Sequence, residues 1–174
     1  MPVNFFQNIC RTESNLKKFG LCDDPPPARN KAYIAENDES KWIAEVKNSS
    51  EIEIIFYGID HCVNILRPNG EQEKRCDGVL HYNNNLIFVE LKDSANKKWI
   101  GKGRKQLTAT IRVCQNEPNP NKYLITGAYI ANKQEYIAKG SRAAHIEKFN
   151  TDTGLILYVI TKKENINIPL NSLT

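Results

Sequence analysis

The stretch RCDGVLHYNNNLIFVELKDS, residues 75–94, contains two runs of strand-forming residues separated by three consecutive asparagines. Asparagine tolerates the left-handed backbone conformation that tight turns require, so residues 83–85 are predicted to form a turn. The flanking runs, 75–82 and 86–92, are rich in the aliphatic and aromatic residues that favour strands. The sequence therefore predicts a β-hairpin near the middle of the chain.

Three charged side chains are predicted to converge on this hairpin. Alternate residues of a strand share a face, so Glu90 and Lys92 point the same way, and the turn brings Asp77 towards Glu90. Burying charge beside so apolar a strand is costly unless the charge is paired or bound to metal. Two carboxylates can hold one or two magnesium ions against a phosphate, while a lysine orients the attacking water. This arrangement indicates a phosphodiesterase site, and the alternative is a solvated ion pair at a strand end.

Helices and strands are predicted on both sides of the hairpin. In chain order, they are helices at 4–19 and 28–48, a strand within 51–63, a turn at 67–70, a helix from 99 or 103 to 114, a strand at 123–131, a helix at 141–149 and a strand at 154–161. Gly20 is expected to end the first helix. The length of 174 residues suits one domain. The order of elements predicts the α/β class, with a mixed central β-sheet flanked by helices.

Asp77 followed by Glu90-Leu91-Lys92 on the next strand resembles the motif of the PD-(D/E)XK nuclease superfamily, whose members share the restriction-endonuclease-like fold. Cys76 stands where the name of the motif has a proline, which is not a metal ligand. The resemblance implies that Asp77 and Glu90 bind Mg²⁺ or Mn²⁺ together with the backbone carbonyl of Leu91. It also implies that Lys92 is the catalytic lysine.

The order of the predicted elements is similar to that of the same superfamily. Its core consists of a helix, three strands, a helix and a strand, and here such a core would run from about residue 28 to residue 131. Residues 1–174 would then form a single nuclease-like domain, with an N-terminal helical extension and a C-terminal helix–strand extension. Related nucleases carry a glutamate of the first core helix near the metal ions, and Glu39 fits this role. Alternatively, the helix breaks near Asn37 and Asp38, and Glu39 begins a new turn.

The segment after the hairpin is basic, since no acidic residue occurs between Asp93 and Glu117. Its predicted helix has apolar residues on one side and basic residues on the other, which favours contact with a phosphate backbone. The candidate nucleic-acid-binding residues from the basic pattern are Lys98, Lys102, Arg104, Lys105 and Arg112. The resemblance to the superfamily adds Gln106, because some of its members have a polar residue of the following helix that reaches the site. Two alternatives remain open. The basic face is simply solvated, or Gly101 and Gly103 form a loop close to phosphates instead of a helical turn.

The composition narrows the class of protein further. The net charge of +4 is compatible with a nucleic-acid partner without requiring one. The five cysteines are odd in number and include no C-x-x-C, so neither a disulfide framework nor a zinc site is expected, and a reducing compartment is favoured. The first residues lack a secretory signal pattern, and no apolar run is long enough to span a bilayer. These features predict a cytoplasmic protein that is not bound to a membrane.

The sequence therefore predicts a divalent-metal-dependent nuclease, a hydrolase of phosphodiester bonds that uses Mg²⁺ or Mn²⁺. DNA is favoured over RNA as its nucleic-acid partner, and an endonuclease and an exonuclease are both compatible with the pattern. The alternative is a non-catalytic nucleic-acid-binding or protein-interaction module on the same fold. The chain carries no separate base-reading motif, so specificity would come from loops, a homodimer or a partner subunit.

Overall fold

The computed structural model describes residues 2–118, 122–135 and 142–169, and within these residues the fold is mixed α/β, with two β-sheets and two α-helices. The strands are β1 (Arg11–Ser14), β2 (Lys18–Cys22), β3 (Tyr33–Ala35), β4 (Ala44–Lys47), β5 (Ile54–Gly58), β6 (Gly78–Tyr82), β7 (Asn85–Lys92), β8 (Leu124–Asn132), β9 (Leu157–Thr161) and β10 (Asn165–Asn167). The helices are α1 (Trp99–Gln115) and α2 (Arg142–Thr153). Short 3-10 turns occur at Asn8–Cys10 and Glu39–Lys41.

The larger sheet has six strands in the order β1-β5-β6-β7-β8-β9. Neighbouring strands from β1 to β7 are antiparallel, whereas β7, β8 and β9 are parallel. Parallel neighbours need a crossover connection, and α1 connects β7 to β8. The predicted hairpin is confirmed, but its turn is shorter than the predicted 83–85: Tyr82 pairs with Asn85, which already belongs to β7. Asn83, in the turn, has a positive φ of 51°.

Apolar side chains pack on both faces of the larger sheet. Leu86 and Phe88 of β7 join the cluster that contains buried residues of α1, whereas Ile87 and Val89 join the cluster shared with the smaller sheet. Even-numbered residues of β7 therefore face the helices. Glu90 belongs to this even-numbered set, which places it under α1 rather than against the smaller sheet.

The smaller sheet has four strands in the order β10-β4-β2-β3. Its strands β2, β3 and β4, together with β1 of the larger sheet, form where two helices were predicted. The helices predicted at 4–19 and 28–48 are wrong, as is the N-terminal helical extension. Gly20, expected to end a helix, lies in the middle of β2. A Cβ on Gly20 would lie 2.0 Å from a ring atom of Trp42, so this glycine is needed for the close approach of a ring 22 positions away. This long-range contact outweighs the helical spacing of apolar residues that predicted a helix at 4–19, because strand formation depends on the tertiary surroundings.

The elements after the hairpin follow the sequence-based expectations closely. The turn predicted at 67–70 closes with a hydrogen bond from Gly70 N–H to the Arg67 carbonyl, 2.9 Å. α1, β8 and β9 form where helix and strands were predicted. α2 continues to Thr153, beyond the expected end at Phe149, and the expected start at Ser141 lies outside the described residues. β10 was not predicted. No helix in the described part of the chain is long and apolar enough to cross a membrane.

A disulfide bond joins Cys10 to Cys62, 52 residues apart. The expectation that the cysteines form no disulfide is therefore wrong for this pair, because the folded chain brings together two residues whose sequence spacing carries no signal. The bond ties the residue before β1 to the loop after β5. Cys22, Cys76 and Cys114 are free thiols.

Removing this disulfide is expected to lower the stability of the protein. In the Cys10→Ser/Cys62→Ser variant the unfolded chain regains loop entropy, which should lower the free energy of unfolding by about 2–4 kcal/mol. The measurement is chemical denaturation without reductant, with Cys114→Ser, a change at a half-buried free thiol, as the control. Equal stabilities of the double variant, the control and the wild type would contradict the expectation.

Candidate active site

Asp77 and Glu90 lie next to each other across the hairpin. Gly78, which follows Asp77, pairs with Val89, which precedes Glu90. The Asp77 carboxylate accepts a hydrogen bond of 2.6 Å from the backbone N–H of Leu91. Both side chains are buried, with 7% of Asp77 and 0% of Glu90 exposed. The hairpin thus brings together the two acids that the sequence analysis selected.

Lys92 connects the acids to helix α1. Its ammonium donates hydrogen bonds to Oε1 of Glu90 and, at 3.1 Å, to Oε1 of Gln106. Gln106 in turn donates from Nε2 to the backbone carbonyl of Arg75, 3.0 Å away. Lys92 is therefore held between β7 and α1, and Gln106, a sequence-selected residue, is the side chain of α1 that reaches it.

Burial dominates the electrostatics of the two acids. It raises the pKa of Asp77 to about 7, the Lys92 ammonium opposes the shift, and the nearby Asp23 and Asp60 carboxylates add to it. Burial and the neighbouring Asp77 raise the pKa of Glu90 well above its usual range, against the effect of Lys92. For Lys92, burial favours the neutral amine, but Glu90 and Asp77 outweigh it and raise its pKa. Without a bound metal the lysine therefore remains an ammonium, and the two buried acids ionise readily only when a nearby positive charge offsets the cost of burial.

One oxygen of Glu90 is without a hydrogen-bond partner. Oε2 is fully buried and accepts no well-formed hydrogen bond from the described residues, while Oε1 is bonded to Lys92. The backbone N–H of Asp77 has only the smallest of the effects on the pKa of this carboxylate. A buried carboxylate oxygen without a partner is costly, and a bound cation would remove this cost. Asp77 and Glu90 therefore fit a hard divalent ion. In the part of the chain that the structure describes, no three His, Cys, Asp or Glu side chains are arranged as a metal cage. Mg²⁺ often takes only one or two carboxylates, with water and phosphate completing its shell.

Two further acids approach this site, and the sequence analysis did not select either. Asp60 follows β5 and pairs with Arg75 at 3.0 Å, and Asp23 follows β2. Both act on the charge of Asp77, as its raised pKa shows. Their position could have indicated a role, since each acid comes just after a buried strand. For Asp23 this position was not recognised, because residues 4–19 were predicted to be a helix instead of strands.

Glu39 is not brought to the acids. It begins the 3-10 turn Glu39–Lys41, after Asp38 in the left-handed conformation with φ of 61°. Its carboxylate is exposed and pairs with Lys18 of β2 at 2.7 Å. The helix that would have carried Glu39 to the metal site is absent. Of the alternative, the new turn at Glu39 is observed, but it follows a strand and a bend rather than a broken helix.

Gly103 lets α1 lie close to the larger sheet. Gly101 and Gly103 both lie within α1, so the alternative in which they form a loop near phosphates is wrong. A Cβ on Gly103 would lie 3.1 Å from both Cγ of Glu90 and Cγ2 of Ile130. Gln106 stands three residues further along the helix, on nearly the same face. The small residue at 103 therefore sets the distance over which Gln106 reaches Lys92.

Gly103→Val is expected to push α1 away from the site. Overpacking a well-packed contact costs about 1–3 kcal/mol, and here the added methyl groups meet Glu90 and Ile130. We expect a lower free energy of unfolding in chemical denaturation. Ala109→Val is the control, since it adds a β-branched side chain at a partly exposed position of the same helix. A Gly103→Val variant as stable as this control would contradict the close approach.

The predicted amphipathic character of α1 is confirmed. Ile100, Leu107 and Ile111 are buried. The exposed basic residues of the segment include Lys98, Lys102, Lys105 and Arg112. Two of the selected cations contact α2 instead of remaining without a partner.

Asp152 of α2 accounts for these two cations. Arg104, with only 12% of its side chain exposed, pairs with Asp152 at 3.4 Å, and Arg112 pairs with the same carboxylate at 3.5 Å. The nucleic-acid-binding residues selected from the sequence thus fall into different surroundings. Arg104 and Arg112 are partly neutralised by α2, whereas Lys102 and Lys105 are not paired with it.

In comparisons with protein families, curated proteins and solved structures, no match to the chain is found.

Proposed function

We propose that this protein is a divalent-metal-dependent nuclease that hydrolyses phosphodiester bonds, with DNA favoured over RNA. The observation that carries the proposal is the fully buried Glu90, which has one oxygen bonded to Lys92 and the other without a partner, beside the buried Asp77. A structural ion pair would not need a second buried acid next to it. A cation site that is completed by substrate accounts for both acids and for the lysine.

We also infer that the larger sheet is restriction-endonuclease-like. Support comes from the order β5, β6 and β7, followed by α1 and then β8 parallel to β7. The first core helix expected from the superfamily is missing at residues 28–48, where β3 and β4 occur. The proposed relation therefore rests on the hairpin, α1 and β8.

Asp77 and Glu90 would hold Mg²⁺ or Mn²⁺, and the backbone carbonyl of Leu91 is proposed as a further ligand. When bound, the ion neutralises phosphate charge and makes water more acidic. The Leu91 N–H fixes the orientation of the Asp77 carboxylate. Lys92, held between Glu90 and Gln106, is assigned contact with a phosphate oxygen or with the attacking water. Gln106 positions the ammonium for this contact.

The test is a cleavage assay on a panel of substrates. Purified protein is incubated with linear, circular, single-stranded and branched DNA and with RNA, in Mg²⁺, Mn²⁺, Ca²⁺ or a chelator. We expect cleavage with Mg²⁺ or Mn²⁺ and none with the chelator. Lys162→Ala, which removes an exposed lysine outside the site, is the control and should cleave like the wild type.

Three outcomes would contradict the proposal. Cleavage that survives both chelation and replacement of Lys92 would come from another site. Salt-dependent binding without cleavage in any ion would support the alternative, a non-catalytic nucleic-acid-binding module. Absence of both binding and cleavage would favour a protein-interaction module.

A further inference from the structure

A groove of about 420 Å³ lies beside the candidate active site, between the loop that precedes β6 and the first turns of α1. Four basic residues line it: Lys74 and Arg75 from the loop, and Lys102 and Lys105 from the helix. We propose that this basic groove binds the phosphodiester backbone of the nucleic acid next to the bond that is cut. This inference rests on the proposed function and adds to it the path of the substrate.

Gln106 connects the groove to the ion pair of Lys92 and Glu90. Gln106 lines the groove, holds the Lys92 ammonium at 3.1 Å and donates to the Arg75 carbonyl at 3.0 Å. A nucleic-acid strand bound in the groove would therefore be separated from Lys92 only by the Gln106 side chain. Binding in the groove and positioning of a phosphate at the acids are thus parts of one continuous surface.

The loop side of the groove is fixed by Arg75. Its guanidinium donates to the Val63 carbonyl at 3.1 Å and to Oε1 of Gln72 at 2.9 Å, and it pairs with Asp60 at 3.0 Å. The adjacent Lys74 therefore extends from a fixed backbone. A positioned loop loses less conformational entropy on binding than a free one would.

Three ammonium groups in the groove are uncompensated. Lys74, Lys102 and Lys105 are exposed and form no ion pair with any residue within 2–118, 122–135 or 142–169. The two acids that also line the groove are already paired, Asp60 with Arg75 and Glu73 with Arg67 at 2.9 Å. The groove therefore presents positive charge that the described residues do not neutralise.

The chemistry of these groups indicates the ligand. Lysine ammoniums are point charges on flexible stems, suited to phosphate oxygens rather than to bidentate reading of a base edge. Three of them along one groove match a repeating anion better than a single small one. The ligand class is therefore a nucleic-acid backbone, bound without regard to sequence. Lys98, which precedes α1 and does not line the groove, is expected to contribute less.

Binding is tested by fluorescence anisotropy of a labelled DNA oligonucleotide at several salt concentrations, in a chelator so that no cleavage occurs. Each phosphate contact contributes about 0.7–0.9 to the slope of log K against log salt. The Lys74→Ala/Lys102→Ala/Lys105→Ala variant should lose about 2 from that slope and bind at least about tenfold more weakly at low salt. The Lys162→Ala control should bind like the wild type. Exposed lysine substitutions rarely change stability by more than about 0.5 kcal/mol, so all variants should unfold at similar temperatures.

An unchanged salt slope in the triple variant, or an equal loss of slope in Lys162→Ala, would contradict binding of the nucleic-acid backbone in the groove.

Competition with inorganic phosphate distinguishes a nucleic-acid backbone from a small free anion as the ligand. We expect phosphate to displace the oligonucleotide only at the ionic strength at which sodium chloride also displaces it. Displacement at much lower phosphate concentration would instead mean a site for a small anion and would overturn the backbone proposal.

The two proposals can fail separately. If the triple variant loses binding while no ion supports cleavage by the wild type, the groove binds nucleic acid but the nuclease proposal is wrong. If the wild type cleaves and the triple variant binds equally well, the groove is not the binding site and the nuclease proposal is retained.

Discussion

Replacing Lys92 with methionine is expected to lower the single-turnover cleavage rate by about 10²–10³-fold, the range found when one donor that stabilises the transition state is removed. Methionine preserves the length of the side chain and removes only its charge and donors. The Lys92 ammonium is the only cation bonded to Glu90 among the described residues, and Gln106 directs it. Its loss removes charge stabilisation from the phosphate and leaves the metal ligands in place. The rate is measured at saturating protein with Mg²⁺.

This substitution has a second effect that must be separated from the first. Breaking a buried ion pair by removing one partner costs about 3–5 kcal/mol, because Glu90 is left buried without its cation. The double variant Glu90→Gln/Lys92→Met carries no charge at either position, so it should recover most of the stability and remain inactive. Cleavage by the double variant, or cleavage by Lys92→Met at the wild-type rate, would show that Lys92 has no role in the reaction.

Asp77→Asn is expected to stabilise the metal-free protein while abolishing cleavage. Asparagine keeps an oxygen to accept the Leu91 N–H and removes a buried negative charge next to Glu90. The pKa of Asp77 is raised from about 4 to about 7 by burial, which makes the ionised form costly in the folded state. At pH 8 we expect the free energy of unfolding to rise by about 2–4 kcal/mol.

The effect has a defined pH window. Between pH 4 and 7 the folded state holds a proton on Asp77 that the unfolded chain has released, so wild-type stability falls as the pH rises through this interval. The groups that face Asp77 are Lys92, Asp23, Asp60 and Glu90, and they are common to wild type and variant. The difference in unfolding free energy between the two proteins should therefore grow from pH 5 to pH 8. A difference that is constant with pH, or a less stable variant at pH 8, would contradict the burial of a charged Asp77.

The part of the fold that could be predicted is the part specified by local sequence. The asparagine run and the two strand-forming runs around it predict the hairpin. Its turn has two residues rather than the expected three, and this shorter turn sets the register that pairs Gly78 with Val89 and places Asp77 opposite Glu90. The two acids could therefore be selected from the sequence, whereas their exact pairing could not. The stripe of Ile100, Leu107 and Ile111 likewise fixed the buried face of α1.

The N-terminal part could not be predicted because contacts distant in sequence decide it. The Trp42 ring covers Gly20, and β4 lies between β2 and β10, the last strand of the described chain. Asp23 reaches the site only because β2 is a strand. The Cys10–Cys62 bond spans 52 residues with no motif. In each case the partner is far along the chain, and short-range spacing carries no information about it.

If Asp77 and Glu90 together hold the divalent ion used for cleavage, each acid must contribute to metal affinity, which a titration of Mn²⁺ followed by electron paramagnetic resonance measures. The variants are Asp77→Asn and Glu90→Gln. The control is Glu147→Gln, which removes an exposed carboxylate of α2. We expect one saturable class of Mn²⁺ site in the wild type and the control, and affinity lowered by more than about tenfold in both variants. Wild-type Mn²⁺ affinity in either variant would contradict this shared role of the two acids.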